Sequence, residues 1–325
     1  MNLSATAISC SNIAFIKYWG NTDQHLRLAA NSSLSMNLAD LTIKARVHFD
    51  SDLETDTLLI NGNPAADSAA QRVFTHLDWV RRRAGLAWRA RVSTESNFPA
   101  GAGIASSAAA FAALALAGTS AAGLSLSEAE LSALARRGSG SASRSVPEGF
   151  CQWLAGGTDE TSYATSIAPV NHWDLCDLVA IVSREHKQVG STGGHALAGS
   201  SVLQPARVAS APERFERCKA ALLAKDLETM GPIIEEDAVM MHSVMMTSQP
   251  PLYYWTPATL ELIHVTATWR ADGLPVYFTI DAGPNVHLIC EAQHADQVES
   301  AARALPGVRD VLRSGVGGRT RLIAE

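Results

Sequence analysis

The stretch NFPAGAGIASSAAAFAALAL, residues 97–116, decides how the rest of the chain is read. It opens on Pro99, Gly101 and Gly103, passes Ser106 and Ser107, and becomes an alanine-rich run with Phe111, Leu114 and Leu116 at helical spacing. Glycines let a backbone approach a ligand closely. The start of a helix leaves free N–H groups and the positive end of the helix dipole, which together favour phosphate. The pattern fits an anion-binding loop that feeds a buried helix, and it also fits a Gly/Ser loop ahead of a core helix, because short glycine-rich motifs recur by chance. No charge falls between Ser96 and Ser127, long enough to mimic a membrane span. Pro99, the glycines and the scarcity of Leu, Ile and Phe argue instead for a helix buried inside a soluble protein.

Outward from this stretch, 325 residues suffice for one large domain or two closely joined ones. A hydrophobic content of 47% with 18% charged residues is that of a globular enzyme-sized chain. The net charge of −6 comes with no basic block, which argues against nucleic-acid binding. Cys10, Cys151, Cys176, Cys218 and Cys290 are scattered, with no CxxC pair, so neither a zinc site nor a disulfide frame is indicated. That usage fits a reducing, cytoplasmic compartment. The first residues lack a basic segment followed by a long apolar one, so no signal peptide is expected.

Residues 4–16 read as a strand, and a second strand alternates through Leu41, Ile43, Ala45, Val47 and Phe49 after the polar run 31–35. Residues 58–60 with Asn61-Gly62-Asn63 read as strand and tight turn. Residues 69–84 form an amphipathic helix, and 88–94 a strand that delivers the chain to the Gly/Ser loop. A helix over 127–137 starts at Ser127, with Glu128 and Glu130 in its first turn. A second Gly/Ser loop, GSGSASR, spans 138–144, and a third, KQVGSTGGH, spans 187–195. Beyond 173, a central strand (175–182), helices (213–225, 227–246, 256–272, 294–304) and strands (276–280, 286–290, 308–312) follow. Strands and helices mix without strict βαβ alternation, which predicts an α+β fold.

Walker A, a framed GxGxxG and GxSxG are all absent, which weakens P-loop, Rossmann and α/β-hydrolase readings. Five loops remain that could converge: 17–21, 97–107, 138–144, 190–194 and 281–285. Asp281 ends the apolar run VYFTID, where it is either a turn-capping residue or a catalytic base. Lys17 follows IAFI and is either desolvated or snorkels to water. Arg144 closes a loop of small residues, placed for a bidentate grip on an anion or for a surface salt bridge. Met240, Met241, Met245 and Met246 read as core packing, and His242 among them as a satisfied interior histidine.

Taken together, NIAFIKYWG (12–20), NSSLS (31–35), FPAGAGIASSAAAFAAL (98–114), RGSGSASRS (137–145) and DAGPNV (281–286) resemble the mevalonate diphosphate decarboxylases of the GHMP kinase superfamily. These motifs stand in order over nearly the whole chain. The resemblance implies a two-lobed fold with the active-site cleft between an N-terminal ATP-binding domain, 1–172, and a C-terminal domain, 173–325. It implies ATP with Mg²⁺ over Asn97, Pro99, Gly101, Ala102, Gly103, Ile104, Ala105, Ser106 and Ser107. Asp281, Lys17 and Arg144 take the catalytic places, with Arg144 on the substrate carboxylate. Tyr18, Asn21, Ser139, Gly140, Ser141, Ser191 and Thr192 take the places of substrate contacts. No protein residue is assigned as a metal ligand. The expected partners are a phosphorylated mevalonate and a second copy of the chain in a homodimer, with no nucleic acid and no membrane.

Two departures bear on the substrate. The family motif KYWGK reads KYWGN, with Asn21 in place of lysine, and Thr192 stands where an arginine is usual. Both missing cations are diphosphate ligands in the family. Charged hydrogen bonds are worth roughly 1.5–3 kcal/mol each, so the pair points to mevalonate 5-phosphate as the preferred substrate. The alternative is that Lys187 or His195 replaces the lost charge. Two other readings compete: a kinase that phosphorylates a mevalonate-type hydroxyl and stops, and a non-catalytic GHMP-type interaction module. Retention of Asp281, Lys17, Arg144 and the Gly/Ser loop argues against both.

Overall fold

A computed structural model describes residues 3–99, 104–185 and 189–324. In chain order the elements are β1 (Ser4–Ile16), β2 (Asn21–Asp23), β3 (Leu28–Ala29), β4 (Ser33–Asp50), β5 (Thr57–Ile60), β6 (Asn63–Pro64), α1 (Asp67–Ala84), β7 (Arg89–Ser96), α2 (Ser106–Ala121), α3 (Glu128–Gly138), β8 (Phe150–Trp153) and β9 (Ala164–Ala168). There follow β10 (Leu175–Ile181), α4 (Ser191–Leu197), α5 (Gln204–Ala224), α6 (Leu227–Met246), α7 (Pro257–Ala271), β11 (Tyr277–Thr279), β12 (Val286–Glu291), α8 (Ala295–Arg303), β13 (Asp310–Gly315) and β14 (Arg321–Ile323).

Two sheets carry the site. The larger runs β14-β1-β4-β7-β5-β6, with β8 on β4 and β9 on β8. The smaller runs β11-β12-β10-β13. β5 and β7 pair in parallel while the other described pairs are antiparallel, so the architecture is α+β. The last strand, β14, returns to the first sheet and pairs with β1.

Local chemistry explains most boundaries. Asn61 and Gly62 both take positive φ (49° and 78°), the backbone that a two-residue hairpin needs between β5 and β6. α1 buries Val73, Leu77 and Val80 on one face and ends at Gly85 in the left-handed region. α3 starts with a reciprocal capping box between Ser127 and Glu130. α2 has almost no polar face because it is buried nearly all round between α1, α3 and the larger sheet. Among the described residues no helix is long and apolar enough to cross a membrane. The five cysteines are buried and unpaired.

Some boundaries differ from expectation. β4 already begins at Ser33, because its first half is buried on both faces and shows no alternation. α5 starts at Gln204 rather than at the expected Glu213, and it carries Pro212 inside it. The loop expected over 187–195 turns helical at Ser191. One apolar cluster joins the two sheets: Ile13, Phe15, Leu34 and Met36 pack with Val179, Ile181, Met230 and Tyr277. Each such buried side chain contributes roughly 1.5–3 kcal/mol, and the shared cluster holds the two sheets together.

Candidate active site

The end of β1 is held unusually firmly. Lys17 is 1% exposed. Its backbone N–H donates to Asp237 Oδ2 at 2.7 Å, and its carbonyl accepts from Asn31 Nδ2 (2.9 Å) and Arg207 Nη2 (2.8 Å). Asp237, wholly buried on α6, also binds Arg214 Nε at 3.0 Å and lies 3.6 Å from Arg207. A buried carboxylate between two arginines thus ties α5 and α6 to the backbone of the residue that follows β1.

The Lys17 side chain donates from Nζ to Asp281 Oδ1 at 2.6 Å. It does not snorkel. Burial lowers its pKa, and the neighbouring carboxylate opposes that shift. Asp281 follows β11, and its side chain is about a fifth exposed, towards the cleft. Burial alone would raise its pKa, but Lys17, His287 and Arg144 together outweigh burial and hold it below the usual carboxylate range. It therefore stands ionised. The Asp281 carbonyl lies 3.1 Å from His242 Nε2, so that nitrogen carries the proton. Burial and the Lys17 charge push His242 down to about 3, so its ring is neutral. His242 is an interior histidine, as read from the sequence, and it props the segment that presents Asp281.

Arg144 lies in a short 3-10 segment, Gly140–Ser145, and is 2% exposed. Its Nη1 donates to Ser33 Oγ at 2.7 Å and its Nη2 to Asn12 Oδ1 at 3.1 Å, while Nε has no partner among the described residues. No carboxylate forms a salt bridge with it there, so the surface-salt-bridge reading is overturned. Burial lowers its pKa to about 10, which leaves it cationic at neutral pH. Asn12 in turn donates to Ser141 O (3.1 Å) and Ser145 Oγ (2.8 Å), which locks this segment against β1.

These groups meet in one cavity of about 290 Å³. It is lined by Lys17, Tyr18, Ser139, Gly140, Ser141 and Arg144, by Ile104 to Ser107 at the start of α2, by Ser191 and Thr192 on α4, and by Asp281. Hydroxyls chain across it, with Ser107 Oγ 3.1 Å from Ser139 Oγ, which is 3.4 Å from Ser141 Oγ. Gly140 is required where it stands. A Cβ there would lie 2.4 Å from the Tyr18 ring, and that ring is already stacked on His195 at 4.1 Å and tilted against Trp153 at 4.7 Å. Ala105, ahead of α2, takes φ 45°; no side chain caps the helix, the Ala108 N–H bonds the Ala105 carbonyl at 2.8 Å, and Ser106 and Ser107 of the first turn line the cavity. Gly101, Ala102, Gly103 and Lys187 lie outside the described residues. Pro99 is described and half-buried.

Two expected contacts sit elsewhere. Asn97 spends its amide on β4, accepting from Thr42 N–H (2.9 Å) and donating to Asp40 O (2.8 Å), and it does not line the cavity. Asn21 faces the neighbouring surface groove. Its Oδ1 accepts from the Tyr18 hydroxyl and its Nδ2 donates to Gln24 at 2.8 Å. His195 cannot supply the lost charge: burial takes it down to about 3, and its Nδ1 accepts the Gly20 N–H at 3.0 Å.

Two cavity residues escaped the sequence reading, Arg27 and Arg72. Arg72, on α1, also reaches an apolar cleft of about 150 Å³ beside Ser106 and Ser107. Nothing in a polar loop or an amphipathic helix marks one arginine as inward; only the folded chain does. The Asp237 network was likewise invisible, since its members are 30 residues apart in sequence at their widest within α5 and α6.

Comparison with known proteins gives a consistent picture. Residues 9–164 match the family model of the diphosphomevalonate decarboxylase-like N-terminal domain, and residues 177–314 match the mevalonate 5-diphosphate decarboxylase C-terminal domain. A diphosphomevalonate decarboxylase of Candida albicans is 33% identical over 91% of this chain and 87% of its own length. A phosphomevalonate decarboxylase of Haloferax volcanii is 31% identical over 99% and 98%. Among solved structures, the mevalonate diphosphate decarboxylase of Enterococcus faecalis superposes with a TM-score of 0.92 at 34% identity, covering 99% of each chain. A further structure, described as MDDEF in complex with MVAPP, AMPPCP and magnesium, superposes with a TM-score of 0.93 at 34% identity, again over 99% of each chain.

Proposed function

The chain belongs to the diphosphomevalonate decarboxylase family, and from that premise we propose that its own substrate is mevalonate 5-phosphate, decarboxylated at the expense of ATP to isopentenyl phosphate. The observation that carries the choice of monophosphate is the neutrality of three positions. Asn21 has its amide spent on Tyr18 and Gln24, Thr192 is uncharged, and His195 is a buried neutral ring. A diphosphate brings more negative charge than a monophosphate, which alone carries up to about two units. The Haloferax volcanii relative of that name, matched over almost the whole chain, points the same way.

In this reading residues 1–172 and 173–325 supply the two lobes about the cleft, with β14 crossing back to the sheet of the first. Arg144 grips the substrate carboxylate: its guanidinium is positioned by Ser33 and Asn12, its Nε has no partner, and no carboxylate pairs with it among the described residues. Asp281 accepts a hydrogen bond from the 3-hydroxyl, and Lys17 fixes the direction of the carboxylate. A carboxylate held below its usual range is a weak base, so it chiefly orients the oxygen and takes the proton late. That suits a phosphoryl transfer with a loose transition state. The 3-oxygen forms a bond to the γ-phosphorus, the bond from that phosphorus to the β-bridging oxygen breaks, and ADP leaves. The C3–O bond of the 3-phosphate then breaks, the C1–C2 pair becomes the C2=C3 bond, and CO₂ and phosphate depart. Lys17 and Arg144, both beside the breaking bonds, stabilise the negative charge on the leaving phosphate.

The start of α2 is suited to the nucleotide phosphates. Its first N–H groups are uncapped, Ser106 and Ser107 add hydroxyls, and Arg72 adds charge. The apolar cleft beside them, lined by Ile43, Ile60, Val73 and Leu114, suits a purine ring. No cluster of three metal-ligating side chains occurs among the described residues. A Mg²⁺ ion would therefore be held by the nucleotide phosphates, a serine hydroxyl of this segment and water, and it would neutralise charge on the transferring group. The test compares kcat/KM for CO₂ release on mevalonate 5-phosphate and 5-diphosphate, in the native chain and in the Asn21→Lys, Thr192→Arg double variant. The native chain should favour the monophosphate and the variant should shift towards the diphosphate. A native preference for the diphosphate refutes the proposal.

A further inference from the structure

We infer that Arg27 is the specificity residue that receives the 5-phosphate of the substrate. The inference rests on the reading above and names one contact within it.

Four cationic side chains line the described part of the cavity, Lys17, Arg27, Arg72 and Arg144, against the single carboxylate of Asp281. Lys17 is committed to Asp281. Arg144 is anchored by Asn12 and Ser33 and takes the carboxylate end of the substrate. In the substrate the phosphate and the carboxylate are carried by different arms of C3, so the phosphate needs a cation other than Arg144. Arg72 lies towards the nucleotide: it lines the apolar cleft with Ser106 and Ser107. Arg27 does not line that cleft. It stands beside Tyr18 and His195, whose titrations both feel its charge.

The backbone supports the same assignment. Arg27 sits at the end of the turn between β2 and β3, with φ 53°, a left-handed conformation that glycine or asparagine adopts with less strain. A strained residue persists where the surroundings over-determine it, and such residues gather at ligand sites. Here the surroundings are visible. Asp23 Oδ1 accepts the Leu26 N–H at 2.7 Å and shapes the turn, and the Arg27 Nε donates to the Arg137 carbonyl at 3.1 Å and aims the guanidinium. No carboxylate pairs with Arg27 among the described residues, whereas Arg136 and Arg137 both pair with Asp159. An oriented guanidinium, without a counter-ion and facing the cleft, is a ready partner for a phosphate.

The conformation also supplies a clean test. Arg27→Gly removes the charge and relieves the backbone, so its thermal midpoint should equal or exceed that of the native chain. Its KM for mevalonate 5-phosphate should rise about 10- to 100-fold, the loss expected for one charged hydrogen-bonded contact, while the KM for ATP stays within about twofold. Arg27→Lys should recover part of the loss. By calorimetry without ATP, the affinity advantage of mevalonate 5-phosphate over mevalonate should shrink by the same factor. An unchanged KM for the monophosphate, or a rise confined to ATP, overturns the assignment while leaving the substrate proposal standing. A native chain that prefers the diphosphate refutes the substrate proposal whatever Arg27→Gly does.

Discussion

Replacing Asp281 with asparagine keeps the shape of the side chain and removes one charge, and two separable effects should follow. The first is on stability. Lys17 Nζ and Asp281 Oδ1 are 2.6 Å apart, so at an effective dielectric of about 20 their attraction is about 6 kcal/mol. That figure is not the cost of the substitution, because an amine that is 1% exposed can lose its proton instead of keeping a buried charge. The cost then approaches that of deprotonating an ordinary lysine, about 1.4 kcal/mol for each pH unit below 10.5. The ceiling is therefore roughly 5 kcal/mol at pH 7 and about 1.4 kcal/mol at pH 9.5. The sign follows from a folded-state pKa depressed below the unfolded one: stability is present at high pH and is lost as pH falls. The second effect is on rate. Loss of a positioned proton acceptor should lower kcat about 10²- to 10⁴-fold, or roughly 3–5 kcal/mol of barrier. Thermal denaturation and ATP-dependent CO₂ release, each at pH 7 and pH 9.5, separate the two. Stability of the variant should approach that of the native chain at pH 9.5 while activity stays lost. A penalty independent of pH would show that Lys17 does not shed its proton in the variant, and activity within tenfold of native would show that Asp281 does not position the 3-hydroxyl.

Three further outcomes follow from the same packing. Asp237→Asn strands Arg207 and Arg214 in the interior and weakens the clamp on the Lys17 backbone; denaturant titration should show a loss of about 3–5 kcal/mol, and a loss under 1 kcal/mol would contradict the clamp. His195 and His242 are buried neutral with pKa values of about 3. Their contribution is intact above pH 6.5 and is withdrawn as pH falls from 6.5 towards 3, on the order of 3–5 kcal/mol each at the limit. His242→Gln should make the acid-induced decline of the unfolding midpoint shallower, and an unchanged slope would argue against a neutral ring. Gly140→Ala forces a Cβ to within 2.4 Å of a Tyr18 ring that is pinned on two sides; it should cost about 1–3 kcal/mol and lower kcat/KM at least tenfold, and native kinetics would show that the ring can yield.

Where periodicity and turn chemistry act alone, the sequence was readable. The strand of residues 4–16, the hairpin at Asn61-Gly62 and the capped helix at Ser127 appear where local chemistry puts them. The short strands β2, β3, β8, β9 and β14 did not announce themselves, because two to five residues held by tertiary pairing leave no period to detect. The helix expected from residue 213 begins at Gln204, because α5 continues through Pro212 despite its missing N–H. Lys17 and Asp281 could be singled out because each ends an apolar run, yet only the fold brings them to 2.6 Å across 264 positions. Arg27 and Arg72 had no such marker: a lone arginine in a polar turn or on an amphipathic helix is ordinary until the cavity wall is known.

The most direct measurement is the stoichiometry of a single reaction mixture containing the native chain, ATP, Mg²⁺ and mevalonate 5-phosphate. ADP, inorganic phosphate and CO₂ should appear in equal amounts, with isopentenyl phosphate as the organic product, at a kcat/KM above that for the 5-diphosphate. ADP without CO₂ would mean that the chain phosphorylates and stops, and turnover of the diphosphate alone would mean that the neutral positions 21 and 192 do not choose the substrate.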